Sequence, residues 1–346
     1  MAETEALEDV LRLMRAWDAG APAEEAPPAN TLGALAAAMR LGVGEPVAAA
    51  LAPRLPPAAA RLTLAPVRGA SAEAAAAAAA QLAGIGETLR AAGLSAVALK
   101  GAAFVAESGR PAPWRPMIDL DLLVPRDRLE AAVAALVAEG YRGDHRAHVA
   151  TDYHYPALLP DGPGLSVELH VDLGWRRTAP LAGLADRTRP AALPGLAVPA
   201  PDDRLTHLVH HAQIADGGHA ARVASLRAAL DWRRLTQDAG AGPAAARARF
   251  AEAGLAPAFD AFHAFAAAVW DEPAPPSRAA RRWASDALAA LAEPGLARRR
   301  ARRFDARRAL GALGEPRLLA HAAAVILNPT RLRRMSRGLI QSLRAG

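Results

Sequence analysis

The sequence predicts an α+β protein: a small mixed β-sheet set between N-terminal helices and a helical C-terminal domain. Three observations predict it. Hydrophobic residues make up 52% of the 346 residues and aromatics only 4%, so alanine and leucine carry the packing, a composition that leans towards helix. Short apolar or alternating runs of strand character cluster between residues 96 and 173. Apolar positions at helical spacing fill the chain on either side of that cluster. The expected division is a helical region over 1–70, an α/β core over 71–200 and a helical domain over 201–346.

In order, residues 1–20 read as a helix with Leu7, Val10, Leu11 and Met14 on one stripe, followed by a Pro/Ala/Glu-rich linker over 21–30. Residues 31–54 give one or two helices, interrupted at Gly42-Val43-Gly44 and stopped by Pro53 and Pro56-Pro57. A long helix is expected over 71–92, capped by the Ser71 hydroxyl and ended by Gly93. A strand over 96–99 leads through Lys100-Gly101 into a short helix over 102–108 and a Pro-rich loop over 109–116. The strand over 118–124 follows, then a helix opened by Pro125-Arg126-Asp127 and ended at Gly140. Strands over 153–159 and 165–173 flank the turn 160–164 and read as a hairpin, whereas 174–200, with four prolines, reads as irregular. From Asp202 onward the segments 202–215, 220–238, 243–268, 277–293, 298–312 and 316–327 read as helices.

Composition excludes some functions. The chain has no cysteine, so disulfides and thiolate metal sites are ruled out, which fits a reducing compartment. No apolar run reaches ~18 residues, so no membrane span is expected. The acidic, amphipathic N-terminus is not that of a signal peptide, and the expected location is the cytoplasm. A net charge of +6 favours anionic partners. The arginines at 298–300, 302–303, 307–308, 331 and 333–334 either bind nucleic acid or make a solvated helix face.

The chemistry concentrates in three places. Asp119 and Asp121 alternate with Ile118, Leu120 and Leu122, so the two carboxylates share one strand face and the aliphatics the other. Carboxylates so placed repel each other, and a divalent metal is the usual reason to keep them together. On a second strand Ser166, Glu168, His170 and Asp172 alternate with aliphatics; Glu168 is the natural third carboxylate, and His170 is a base or a ligand. His154, on the partner strand, faces them across the expected hairpin. Lys100 is the sole lysine of a chain with 41 basic residues, and it stands before a glycine at a strand end. A compact ammonium that a planar guanidinium cannot replace suits that position. His207 and His211 lie i, i+4 on a helix and read as a packed or hydrogen-bonded pair rather than a zinc site.

Lys100-Gly101, Arg115-Pro116-Met117 with the strand Ile118 to Val124, and Glu168-Leu169-His170 resemble the uncharacterised bacterial nucleotidyltransferases of the DNA-polymerase-β-like superfamily. The resemblance covers roughly residues 95–235 and includes LTHLVHH at 205–211 and LRAALDWRRL at 226–235. It implies a nucleotidyltransferase core in which Asp119, Asp121 and Glu168 hold two Mg²⁺ ions. Lys100, Gly101 and Arg115 would then grip a nucleoside triphosphate, ATP first among them. The implied reaction moves a nucleoside monophosphate to a hydroxyl or amine of a small molecule, a peptide, a protein or an RNA end, and releases pyrophosphate. Lys-Gly in place of the superfamily's usual Gly-Ser, and His170 beside the third carboxylate, depart from the common pattern. The alternative is a non-catalytic nucleotide- or RNA-binding module on the same fold.

Overall fold

In the computed structural model the residues described are 2–20, 27–143, 155–173 and 179–312. The chain opens with helices α1 (Ala2–Asp18), α2 (Thr31–Arg40), α3 (Gly44–Leu51), α4 (Pro57–Thr63) and α5 (Ala65–Ala91). The break between α2 and α3 falls at the expected glycines, and Gly93 ends the long helix in the left-handed region at φ 69°. Helix α5 begins six residues before Ser71, with Pro66 in its first turn, so Ser71 caps nothing. The prolines at 56–57 likewise start α4 rather than mark only a stop.

Next come β1 (Ala96–Ala98), α6 (Lys100–Ser108), β2 (Asp119–Leu123), α7 (Leu129–Ala138), β3 (Tyr141–Gly143), β4 (Leu158–Pro160) and β5 (Ser166–His170). The pair β6 (Thr188–Pro190) and β7 (Leu196–Pro199) completes a mixed sheet of seven strands, in the order β3-β4-β5-β2-β1-β7-β6. Strand β2 lies in the middle, parallel to β5 and antiparallel to β1. The hairpin expected around 160–164 is present, as Leu158 pairs with Val167, although its first arm is shorter than expected and His154 lies outside the described residues.

Two expectations are corrected. The 174–200 stretch is not irregular throughout: β6 and β7 pair antiparallel, and β7 adds parallel to β1. Its prolines conceal this, but Pro190 and Pro199 end their strands and β6 is the sheet edge, where a missing N–H breaks no ladder. Ile118 does not join Leu120 and Leu122 in the core. It precedes β2 and is 73% exposed, whereas the two leucines are fully buried.

The rest of the compact body is helical: α8 (Pro201–His210), a π turn at His211–Ala215, α9 (Gly218–Ala221), α10 (Leu226–Gln237), α11 (Pro243–Glu252), α12 (Ala256–Trp270) and α13 (Arg278–Ala292). Gly254, at φ 69°, divides the expected 243–268 helix into α11 and α12. Close contacts divide the chain into two units, Met1–Pro294 and Gly295–Gly346; the second holds nearly all of α14 (Pro294–Ala312). The expected helix at 316–327 lies outside the described residues.

Two cores stabilise the first unit. One lies between the sheet and α5–α7, built from residues such as Leu82, Leu120, Leu136 and Val167. The other joins the N-terminal helices to the late ones, with Val10, Leu35 and Val47 beside Trp232, Phe259 and Phe262. Segments 1–70 and 201–294 therefore share one core although the sheet separates them in sequence. Arg15 fastens the join, donating to the carbonyl oxygens of Val269 (2.7 Å) and Ala268 (2.8 Å) near the end of α12, where a cation suits the helix terminus.

Candidate active site

The parallel register of β2 and β5 builds the site. It sets Asp119 beside Ser166, Asp121 beside Glu168 and Leu123 beside His170, so the two alternating polar faces form one acidic surface. Donor atoms of Asp121, Glu168 and His170 all lie within 4.8 Å of one another. His170 Nε2 sits 2.9 Å from Asp121 Oδ1 and 3.7 Å from Glu168 Oε2. Asp119, expected as a metal ligand, lies on the same face but outside this group of three, which His170 joins.

Lys100 enters from the neighbouring strand. It starts α6 in the left-handed region, φ 48°, which few non-glycine residues adopt, and its Nζ donates to Asp121 Oδ1 at 2.8 Å. Asp121 is only 2% exposed. Burial alone would raise its pKa, but the hydrogen bond from His170 and the Lys100 charge overcome this and hold the carboxyl far below the usual carboxylate range. Burial tends to discharge Lys100, yet Asp121, with Asp119 and Glu168 behind it, raises its pKa above the ordinary value. Asp119 behaves oppositely to Asp121: burial first, then repulsion from Asp121, raises its pKa.

Above this face is a cavity of about 270 Å³, floored by Lys100, Asp119 and Asp121 and walled by α8 and α10. Ile118 stands exposed at its margin. Arg115 reaches the cavity but is committed elsewhere. Its Nε donates to both oxygens of Asp231 on α10 (2.7 and 2.9 Å), its Nη1 donates to the Pro116 carbonyl, and both partners of the ion pair are buried. The guanidinium expected to neutralise phosphate thus ties the 109–117 loop to α10. Gly101 also has a local reason to be glycine: a Cβ there would meet the Met117 side chain at 2.8 Å. The Arg-Pro-Met run is therefore a clamp, with Met117 on α6 and Arg115 on α10.

His207 and His211 form the expected packed pair, with rings edge to face at 6.2 Å. Burial, with His211 and Lys100 nearby, keeps His207 well below the usual histidine range, hence neutral. His211 Nδ1 lies 3.1 Å from Asp216 Oδ2 across the π turn, and both residues line the cavity. Asp216, Arg227 and Asp231 carry no role in the sequence reading. The available signal was Asp231, an acid among the buried residues Leu226, Ala229, Leu230 and Trp232 of α10, with Arg227 one turn before it on the same face.

Comparison with curated proteins and with solved structures gives no match. The model of the uncharacterised nucleotidyltransferase family matches residues 29–271, which span α2, the whole sheet and the late helices as far as the end of α12. That match covers both walls of the cavity, and the chain belongs to this nucleotidyltransferase family.

Proposed function

We propose that the protein is a divalent-cation-dependent nucleotidyltransferase of the DNA-polymerase-β-like superfamily, moving a nucleoside monophosphate from a nucleoside triphosphate to a hydroxyl or amine. The observation that carries this reading is the Asp121–Glu168–His170 donor group, set on adjoining parallel strands beside the Lys100 ammonium, with Asp121 on the floor of the cavity. Two carboxylates and an imidazole fit a divalent cation, with Mn²⁺ suited to the nitrogen ligand and Mg²⁺ to the oxygens. Asp119, on the same face, is the carboxylate available to a second ion. When bound, the ions would neutralise triphosphate charge and polarise the α-phosphoryl group.

The chain's own residues supply the remaining roles. Glu168 is the group to receive the acceptor's proton, because Asp121 is already held as an anion by two donors while Glu168 is the more exposed of the two carboxylates. The acceptor oxygen or nitrogen bonds to the α-phosphorus, the bond to the β-phosphate oxygen breaks, and pyrophosphate leaves. Lys100 offsets negative charge at the acidic face. ATP is the first substrate to try. The acceptor is a small molecule, peptide, protein or RNA end; Arg298–Arg300 and Arg302–Arg303 fall on α14, while Arg331, Arg333 and Arg334 lie outside the described residues. Among the described residues no helix is long and apolar enough to cross a membrane.

The test is incubation of the purified chain with Mg²⁺ or Mn²⁺, each labelled nucleoside triphosphate and fractionated cell extract. Metal-dependent pyrophosphate release with label transfer is expected. Nucleotide binding without either product, over all fractions and both metals, favours the non-catalytic module.

Asp119→Asn checks the acidic face separately. Because its folded pKa is raised, the Asp119 carboxyl contributes stability at low pH that is lost as pH rises through the folded value. The asparagine variant is expected to melt at or above the wild-type temperature at neutral pH, with the two curves converging in acid, and to lose metal-dependent nucleotide binding. A lower melting temperature at neutral pH would make Asp119 structural.

A further inference from the structure

Four basic side chains line the cavity: Lys100, Arg115, Arg204 and Arg227. Three are matched by carboxylates. Lys100 pairs with Asp121, Arg115 with Asp231, and Arg204 with Glu107 while stacking 4.4 Å over the Phe104 ring. Arg227 makes no hydrogen bond and no ion pair with any described residue. Its natural helical partner one turn on is Asp231, but both oxygens of that carboxylate accept from Arg115 Nε, and no ion pair joins Arg227 to it. Burial and the neighbouring Arg115 charge both disfavour the Arg227 cation, while Asp231, Asp119 and Asp216 attract it from beyond ion-pair distance.

The Arg227 stem runs beside a tight turn. Gly42, in the left-handed turn between α2 and α3, lies so close that a Cβ on it would be 3.8 Å from Arg227 Cβ and 4.0 Å from Cδ. A guanidinium stays charged at any working pH, so a half-buried one without a partner weakens the fold unless an anion completes it. The acidic face across the cavity repels a bare anion. An anion that enters with its own divalent cation satisfies both ends: cation towards Asp121 and Glu168, phosphate oxygens towards the arginine fork.

We propose that Arg227, not Arg115, is the guanidinium that receives the phosphates of the nucleotide. This rests on the nucleotidyl-transfer reading and assigns its phosphate subsite to α10, with Arg115–Asp231 as the strut that leaves Arg227 unpaired. It also accounts for one helix carrying an Arg and an Asp at i, i+4 spacing that do not pair.

The test is calorimetric titration of the full chain with Mg²⁺–ATP, with Mg²⁺–tripolyphosphate and with adenosine, for wild type, Arg227→Ala, Arg227→Lys and the exposed control Arg61→Ala. Expected is a loss of about tenfold to a hundredfold in affinity for both phosphate probes in Arg227→Ala, as for a removed charged hydrogen bond, with partial recovery in Arg227→Lys. Arg61→Ala should bind as wild type does, and Arg227→Ala should melt no lower than wild type, since it breaks no ion pair. Should Arg227→Ala nevertheless melt low, Arg227→Gln replaces it under the same criterion. Wild-type affinity for ATP and tripolyphosphate in the alanine or glutamine variant overturns the assignment and leaves the nucleotide reading standing. Loss for ATP alone, with tripolyphosphate unaffected, moves Arg227 to the nucleoside and overturns it too. Failure of the wild-type protein to bind either phosphate probe overturns both this assignment and the nucleotide reading.

Discussion

Arg115→Ala is expected to lower folding stability by about 3–5 kcal/mol, the largest loss of any single change at the site. The two partners bury together, Arg115 with 8% and Asp231 with 5% of the side chain exposed, so truncating the arginine leaves a carboxylate in the interior without its counter-charge. It also frees the 109–117 loop, whose Met117 packs on Gly101 at the start of α6. Lys100 and the acidic strand would therefore lose their relative placement as well as stability. Urea denaturation at neutral pH measures the loss. The double variant Arg115→Met with Asp231→Leu should recover most of it, because removing both charges removes the desolvation problem. A loss under ~1 kcal/mol in the single variant would mean that water reaches Asp231, and the strut would no longer explain why Arg227 stands unpaired.

The contrast between Arg115 and Arg227 marks what the sequence could not reveal. Periodicity reports which residues share a face of one element, and on that basis β2, β5, the glycine stops and the start of α6 were legible. It does not report pairings across the chain. Arg115 and Asp231 are 116 residues apart, and nothing local distinguishes an arginine that meets phosphate from one that meets a buried aspartate. The donor group shows the same boundary. Alternation placed Asp119 and Asp121 on one face and Glu168 and His170 on another. Only the register, Asp121 beside Glu168, decides that His170 joins the group and Asp119 stands apart. The missed strands β6 and β7 have a different cause: they are three and four residues long and end in proline, so local propensity argues against them while pairing to β1 and to each other holds them.

The lone lysine stood out by composition, and its partner adds a meaning that composition could not supply. The Lys100 ammonium is the counter-charge of Asp121, the most deeply buried carboxylate of the acidic face, and it also lines the cavity. Both roles need a compact donor on a short reach. A left-handed backbone at φ 48° directs the side chain from the end of β1 back across to β2.

Lys100→Arg should therefore lower kcat/KM for pyrophosphate release by roughly 30- to 1000-fold, the effect of losing one positioned charge of about 2–4 kcal/mol in the transition state. A guanidinium carries the same charge but is planar and larger, and it cannot place a single nitrogen at the ammonium position 2.8 Å from Asp121 Oδ1 without moving the strand end. Stability should change far less than activity in this variant, since Asp121 keeps a cation and its His170 hydrogen bond. Lys100→Met separates the two roles. Asp121 has a folded pKa below its unfolded one, so its contribution to stability is present above the unfolded value and is lost as pH falls through the folded value. Removing the ammonium brings that folded pKa back up, so acid unfolding of Lys100→Met should begin at a higher pH than in wild type, while Lys100→Arg follows the wild-type curve. Pyrophosphate release and melting temperature from pH 3 to 8, measured on all three proteins, test both statements. Wild-type turnover in the arginine variant would reduce Lys100 to a diffuse positive charge, and an unshifted acid limb in the methionine variant would leave His170 alone as the group that keeps Asp121 ionised.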